Sequence, residues 1–133
     1  MSNQYLHILC ENYSLLADIQ RVEQVISGEW QSADTELDWQ GETLACINLL
    51  HLFTGDHKLL SRHCIIMQEP NSQNRIAVLV GRVSNVQVIQ ESEFEDLPNL
   101  AFPFNDYFDK VYIQKTDNNC IYRLKSLFVI GKS

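Results

Sequence analysis

The apolar residues of this chain come in short runs rich in valine, isoleucine and aromatic side chains, broken by polar turns every 8–12 residues or so. Runs of that length cannot supply the three or more turns of a packed helix, but they match half-buried strands. Strands are therefore expected over residues 5–10, 15–17, 22–27, 35–39, 43–48, 63–68, 76–80, 86–90, 111–115 and 120–124. Between them, 11–14 reads as a turn, and Asp18 is placed to cap one helical turn over 18–21. Gly28 should end the third strand, and Gln40-Gly41 should make a hairpin turn in which the glycine supplies a positive φ. Residues 49–53 read as a short helical close. Further on, a hairpin loop is expected at 70–74, tight turns at 81–85 and 116–119, and a second close at 127–128.

The order of elements runs twice, and some residues repeat with it. At one offset Leu16, Gln24, Val25 and Ile26 match Leu79, Gln87, Val88 and Ile89; at another, Leu49, Leu52 and Phe53 match Leu124, Leu127 and Phe128. The 133 residues fit one domain made of halves of approximately 1–60 and 61–133. Each half is too small to bury an adequate core alone, so the two should share a buried interface.

Composition narrows the partners. An apolar fraction of 45% excludes a disordered chain. The net charge of −7, with lysine and arginine scattered singly, would repel a polyanion, so no nucleic-acid partner is expected. Residues 1–4 lack a basic leader and 5–10 are too short for a signal core, while no apolar run approaches the ~18 residues of a membrane span. The expectation is a cytoplasmic protein without direct membrane insertion. Cys10, Cys46, Cys64 and Cys120 show no Cys-x-x-Cys spacing and sit in or beside apolar runs, which predicts four reduced, buried structural thiols.

No group of residues in the sequence has the spacing of a catalytic constellation. His51, His57, His63 and Cys64, with Asp56, form the strongest metal candidate, but their spacing matches no zinc pattern. His63 and Cys64 are adjacent on a strand and should point to opposite faces, against a cysteine nucleophile with a histidine base. Glu91, Glu93, Glu95 and Asp96 fall in one polar connection and read as solvated carboxylates. The chain is therefore read as a non-enzyme with no cofactor.

Four stretches, taken in order, resemble the CheW-like domain family. The first is 15–26, Leu-Leu-Ala-Asp-Ile-Gln-Arg-Val-Glu-Gln-Val-Ile, a strand, a helical turn and a Val-x-x-Val entry into the next strand. The second is 37–49, Leu-Asp-Trp-Gln-Gly-Glu-Thr-Leu-Ala-Cys-Ile-Asn-Leu, similar to the family's Asn-Leu-Arg-Gly hairpin leading to Val-Asp-Leu. The third is 80–89, Val-Gly-Arg-Val-Ser-Asn-Val-Gln-Val-Ile, and the fourth joins 107–111 with 120–128 as the closing hairpin.

The resemblance implies an all-β fold of two intertwined five-stranded SH3-like barrels with short helical turns, meeting at a hydrophobic interface. It implies a cofactor-free signalling adaptor that docks a histidine kinase, a chemoreceptor cytoplasmic tip, or both, in chemotaxis or pilus motility. Val22 and Val86 match residues lining the family's receptor-facing groove, with core packing as the competing reading for both. Gln24, beside Val22, and Gln40, at the place of the family's hairpin arginine, complete the candidate partner-binding set. Gln40 lacks a guanidinium fork, Asn48 replaces an aspartate, Lys110 replaces a glycine, and the approach over 30–36 is shortened. These departures leave open a second reading, the same fold repurposed as a docking module for another signalling protein. The reading from another class is an enzyme or metal protein on an unrelated small barrel.

Overall fold

The computed structural model describes residues 3–31, 34–68, 73–97, 107–114 and 119–125. The loop at 70–74 and the turn at 116–119 fall largely outside these residues, and the close at 127–128 wholly so. Strands β1 (Gln4–Cys10) and β2 (Tyr13–Asp18) form a hairpin around Glu11 and Asn12, shorter than the turn expected over 11–14. Asp18 caps the 3-10 turn Ile19–Arg21, its Oδ1 accepting from the Gln20 N–H at 3.0 Å. β3 follows (Val22–Trp30) and does not stop at Gly28. The glycine sits instead in an irregular stretch of pairing, where a Cβ would lie 2.8 Å from the Trp30 ring.

β4 (Glu36–Trp39) and β5 (Glu42–Asn48) flank Gln40 and Gly41, whose φ values of 48° and 82° are both positive, as a two-residue hairpin turn requires. Asn48 then caps α1 (Leu49–Thr54) by accepting from the His51 N–H at 2.9 Å, and Gly55, left-handed at φ 70°, closes it. The second half brings β6 (Ser61–Gln68), β7 (Arg75–Val80) and β8 (Arg82–Val88). The tight turn expected over 81–85 shrinks to Gly81, where a Cβ would lie 2.7 Å from the Leu9 carbonyl oxygen. A 3-10 turn (Glu91–Glu93), the two-residue β9 (Glu95–Asp96), β10 (Phe108–Ile113) and β11 (Cys120–Leu124) follow among the described residues.

The strands form two sheets, in the orders β8-β1-β2-β11-β10-β9 and β3-β6-β7-β5-β4. Each sheet takes strands from both halves of the sequence. The strand after the first hairpin, β3, crosses to the second hairpin, and β8 crosses back to the first. The repeat is visible in register. Tyr122 faces Leu15 in the parallel pair of one sheet, and Ile47 faces Val78 in the other, as both sequence offsets demand.

The crossing strands depart from it. Ile8 and Ile65 hold matching places opposite Leu15 and Val78, yet their partners on the crossing strands are Val83 and Val25. Those residues are 58 apart, whereas the match of Gln24, Val25 and Ile26 to Gln87, Val88 and Ile89 needed 63. The first half spends three residues on a 3-10 turn where the second crosses on Gly81 alone.

Among the described residues, alternation along the strands builds three cores. Leu6, Ile8 and Cys10 of β1, Leu15 and Ala17 of β2, Ile65 and Met67 of β6, and Ile76, Val78 and Val80 of β7 meet in one cluster between the sheets, joined by Leu49, Leu50 and Phe53 of α1. Tyr5 and Leu16 point the other way into the first barrel, and Cys64, Ile66, Ala77 and Leu79 into the second. Neither SH3-like barrel has its main core to itself. Burial of the thiols is less complete than expected. Cys10 and Cys64 are buried, Cys46 is partly covered, and Cys120 is exposed because it opens β11 with the opposite facing to buried Ile121.

Candidate functional site

Three large apolar side chains are exposed among the described residues: Val25 (38%), Val86 (48%) and Val88 (65%). All three lie on β3 or β8, each the outermost strand at one edge of its sheet. Directly paired residues on antiparallel strands share a face. Val86 pairs with Leu6 and Val25 with Ile65, and both partners belong to the core between the barrels. Val22 pairs with Met67 on that same face and packs against the core. Val22 and Val86 therefore both face the inter-barrel core, Val22 partly buried beneath it and Val86 half out of it. The valines carry that apolar layer to the surface at the sheet edges.

Gln24 and Gln40 are placed differently. Gln24 pairs with Ile66, which puts it on the second-barrel face of β3, yet it stays exposed, and its Oε1 accepts from the Trp39 indole N–H at 2.8 Å. Because β3 and β4 are the two edges of that sheet, this bond links them. Arg75 on β7 adds to the closure, reaching Glu23 at 3.3 Å and Glu42 at 3.7 Å with its guanidinium 5.4 Å from the Trp39 ring centroid. Gln40 follows Trp39 at the exposed hairpin tip. Thus Val22, Gln24 and Gln40 belong to one sheet, and Val86 belongs to the other.

The groups weighed for catalysis are engaged in the fold. His51 and His57 approach with 2.8 Å between their Nε2 atoms and ring centroids 3.6 Å apart, so the rings overlap at a tilt instead of aiming at a shared point. Among the described residues no three or more of His, Cys, Asp and Glu are gathered as a metal cage. Cys64 points into the second barrel, and burial pushes its thiol up to about 12, far from a thiolate. Glu91 and Asp96 are held below their ordinary range by hydrogen bonds from Arg123 and Lys110 respectively, the opposite of a carboxyl kept ready to donate a proton. The polar connection they occupy is partly ordered, as a 3-10 turn and a short strand.

Val25 and Val88 were not singled out from sequence as surface residues. Their β-branched, strand-like surroundings resemble core, and only the pairing of each edge strand shows which valines emerge.

The chain matches the family model for the CheW-like domain over residues 9–127. No curated protein matches it. Its fold is similar to the crystal structure of the scaffolding protein TtCheW from Thermoanaerobacter tengcongensis, with a TM-score of 0.73 over 95% of this chain and 90% of that one, at 18% identity. At that identity the structural likeness speaks for the fold, while the family match covers most of the sequence. Proteins of this family are scaffolding adaptors and not enzymes. The chain belongs to the CheW-like domain family.

Proposed function

We propose that this protein is a cytoplasmic signalling adaptor that docks a histidine kinase, a chemoreceptor cytoplasmic tip, or both, in a chemotaxis or pilus-motility pathway. The single observation that carries the reading is the emergence of Val86 and Val88 on an outermost strand, continuous with the inter-barrel core. Apolar side chains left exposed at the edge of a packed layer are what a docking partner covers. Val22 extends the surface inward. Gln24, on the other face of β3, holds the β4–β5 hairpin through Trp39, and Gln40 offers an uncharged amide at the hairpin tip. Among the described residues no helix is long and apolar enough to cross a membrane. The test is co-purification of the intact chain with a histidine kinase from the cells that make it. Recovery of the kinase is the expected result, and recovery of neither kinase nor receptor overturns the reading.

Gln40 favours a second reading, in which the fold serves another signalling partner and receptor docking is lost. A glutamine cannot offer the five-donor fork of the arginine that the family carries there.

A further inference from the structure

A second surface feature lies at the start of β8. Leu50, Leu59 and Leu60 line a cleft of about 340 Å³ with Arg62 and Arg82 in its wall, where Gly81 brings the chain across from one sheet to the other. Arg82 stands out among the five arginines. Arg21 donates to the Gln68 carbonyl, Arg62 to Glu29, Arg75 to Glu23, and Arg123 to Asp109 and Glu91. Arg82 has no such partner among the described residues. The Arg62–Glu29 pair, 2.6 Å long, is exposed on both sides and so is held weakly. Glu11 adds a negative charge to the lining and Glu29 already holds Arg62, so Arg82 is the cation left for a partner, which suits the cleft to a single carboxylate and not a polyanion.

We propose that this cleft is a socket for an acidic residue flanked by aliphatic side chains on the docked partner polypeptide. The inference rests on the adaptor reading and adds the chemistry of the partner's segment. In a chain of net charge −7, this cleft carries two arginines beside three leucines, and Arg82, without a partner among the described residues, can fork onto a carboxylate. A volume near the lower end of the usual range for ligand sites fits one or two side chains. Arg82 pairs with Leu9 and so stands on the face of β8 opposite to Val86; because β8 is an outermost strand, a segment covering that valine reaches the socket by rounding its edge.

The test uses the intact ¹⁵N-labelled protein titrated with the capped tetrapeptide acetyl-Leu-Asp-Leu-Val-amide. Chemical-shift changes are expected at Gly81, Arg82 and Arg62. Replacing the peptide's Asp by Asn should weaken binding about tenfold, and so should Arg82→Gln at unchanged melting temperature. Shifts centred elsewhere, an equal response to the Asn peptide, undiminished binding by Arg82→Gln, or equal binding of free acetate would each overturn the socket. The titration contains no kinase, so its failure alongside retained kinase co-purification removes the socket and leaves the adaptor reading standing.

Discussion

Arg123 grips Asp109 as a fork on a carboxylate, with Nε to Oδ1 and Nη2 to Oδ2 each at 2.9 Å. The same guanidinium reaches Glu91 at 2.7 Å and the Tyr5 hydroxyl at 3.3 Å, and lies 4.6 Å from the Phe94 ring centroid. One side chain thus ties β11 to β10, to β1 and to the 3-10 turn after β8. It fastens the first barrel much as Arg75 and the Gln24–Trp39 bond fasten the second. Arg123→Leu should lower stability by about 2 kcal/mol, less than a fully buried pair would lose because Asp109 and Glu91 reach solvent. Urea unfolding measures this.

Acid should weaken the fold in a defined direction. The folded-state pKa values of Glu91 and Asp96 lie below their ordinary values of 4.5 and 3.8. Their contribution is therefore present above those values and is lost as pH falls through the lower folded ones. His7, lowered by burial from 6.5, acts the same way, since the unfolded chain takes up its proton first. Stability should decline from about pH 6.5 downward. The Arg123→Leu variant should show a flatter decline below about pH 4.5, because Glu91 loses the Arg123 hydrogen bond that chiefly lowers its pKa. Melting temperature across pH reads both effects.

Thiol chemistry should divide the four cysteines. Cys120 is exposed and should react first with a thiol reagent in the native protein. Cys10 and Cys46 have pKa values pushed up to about 11 by burial, and Cys64 to about 12, so these three should lag until denaturant is added. Mass spectrometry of partly labelled protein assigns the order.

The hairpin tip separates fold from partner choice. Gly41→Ala should cost about 1 kcal/mol, since φ 82° strains any side chain. Gln40→Arg keeps the turn and restores a guanidinium fork. Binding of a chemoreceptor cytoplasmic tip by this variant alone is expected if Gln40 accounts for a lost partner. Failure to bind favours the docking-module reading.

Local features were legible where one residue decides the geometry. Gln40-Gly41 and Asp18 could each be placed from turn and cap chemistry, whereas the close over 49–53 could be placed without its Asn48 cap. The repeat could be placed too, wherever the two hairpins and the parallel pairs obey it. What escaped was non-local. Gly28 looks like a strand end until Trp30 is seen to need its space. The shortened crossing at Gly81 shifts β8 against β3, so Val88 is not the counterpart of Val25. Gln24 is an exposed amide, and only the return of β4 shows that its oxygen is taken by the Trp39 indole. The facing of Val22 and Val86 toward the inter-barrel core emerges only from strand pairing, and the arginine cleft had no signal in the sequence at all.

The central claim is that the half-exposed valine of β8 is a contact for a partner and not part of the protein's own packing. The direct measurement is made twice on Val86→Asp, once as a thermal melt and once as a pull-down of a histidine kinase. A charge at a half-exposed edge position should lower stability by no more than about 1 kcal/mol, while it should abolish capture of the kinase by placing a carboxylate in an apolar contact. A near-normal melt with lost capture is the predicted result. A variant that melts normally and captures the kinase as the parent does, or one that fails to fold, would contradict the assignment of Val86 to the docking surface.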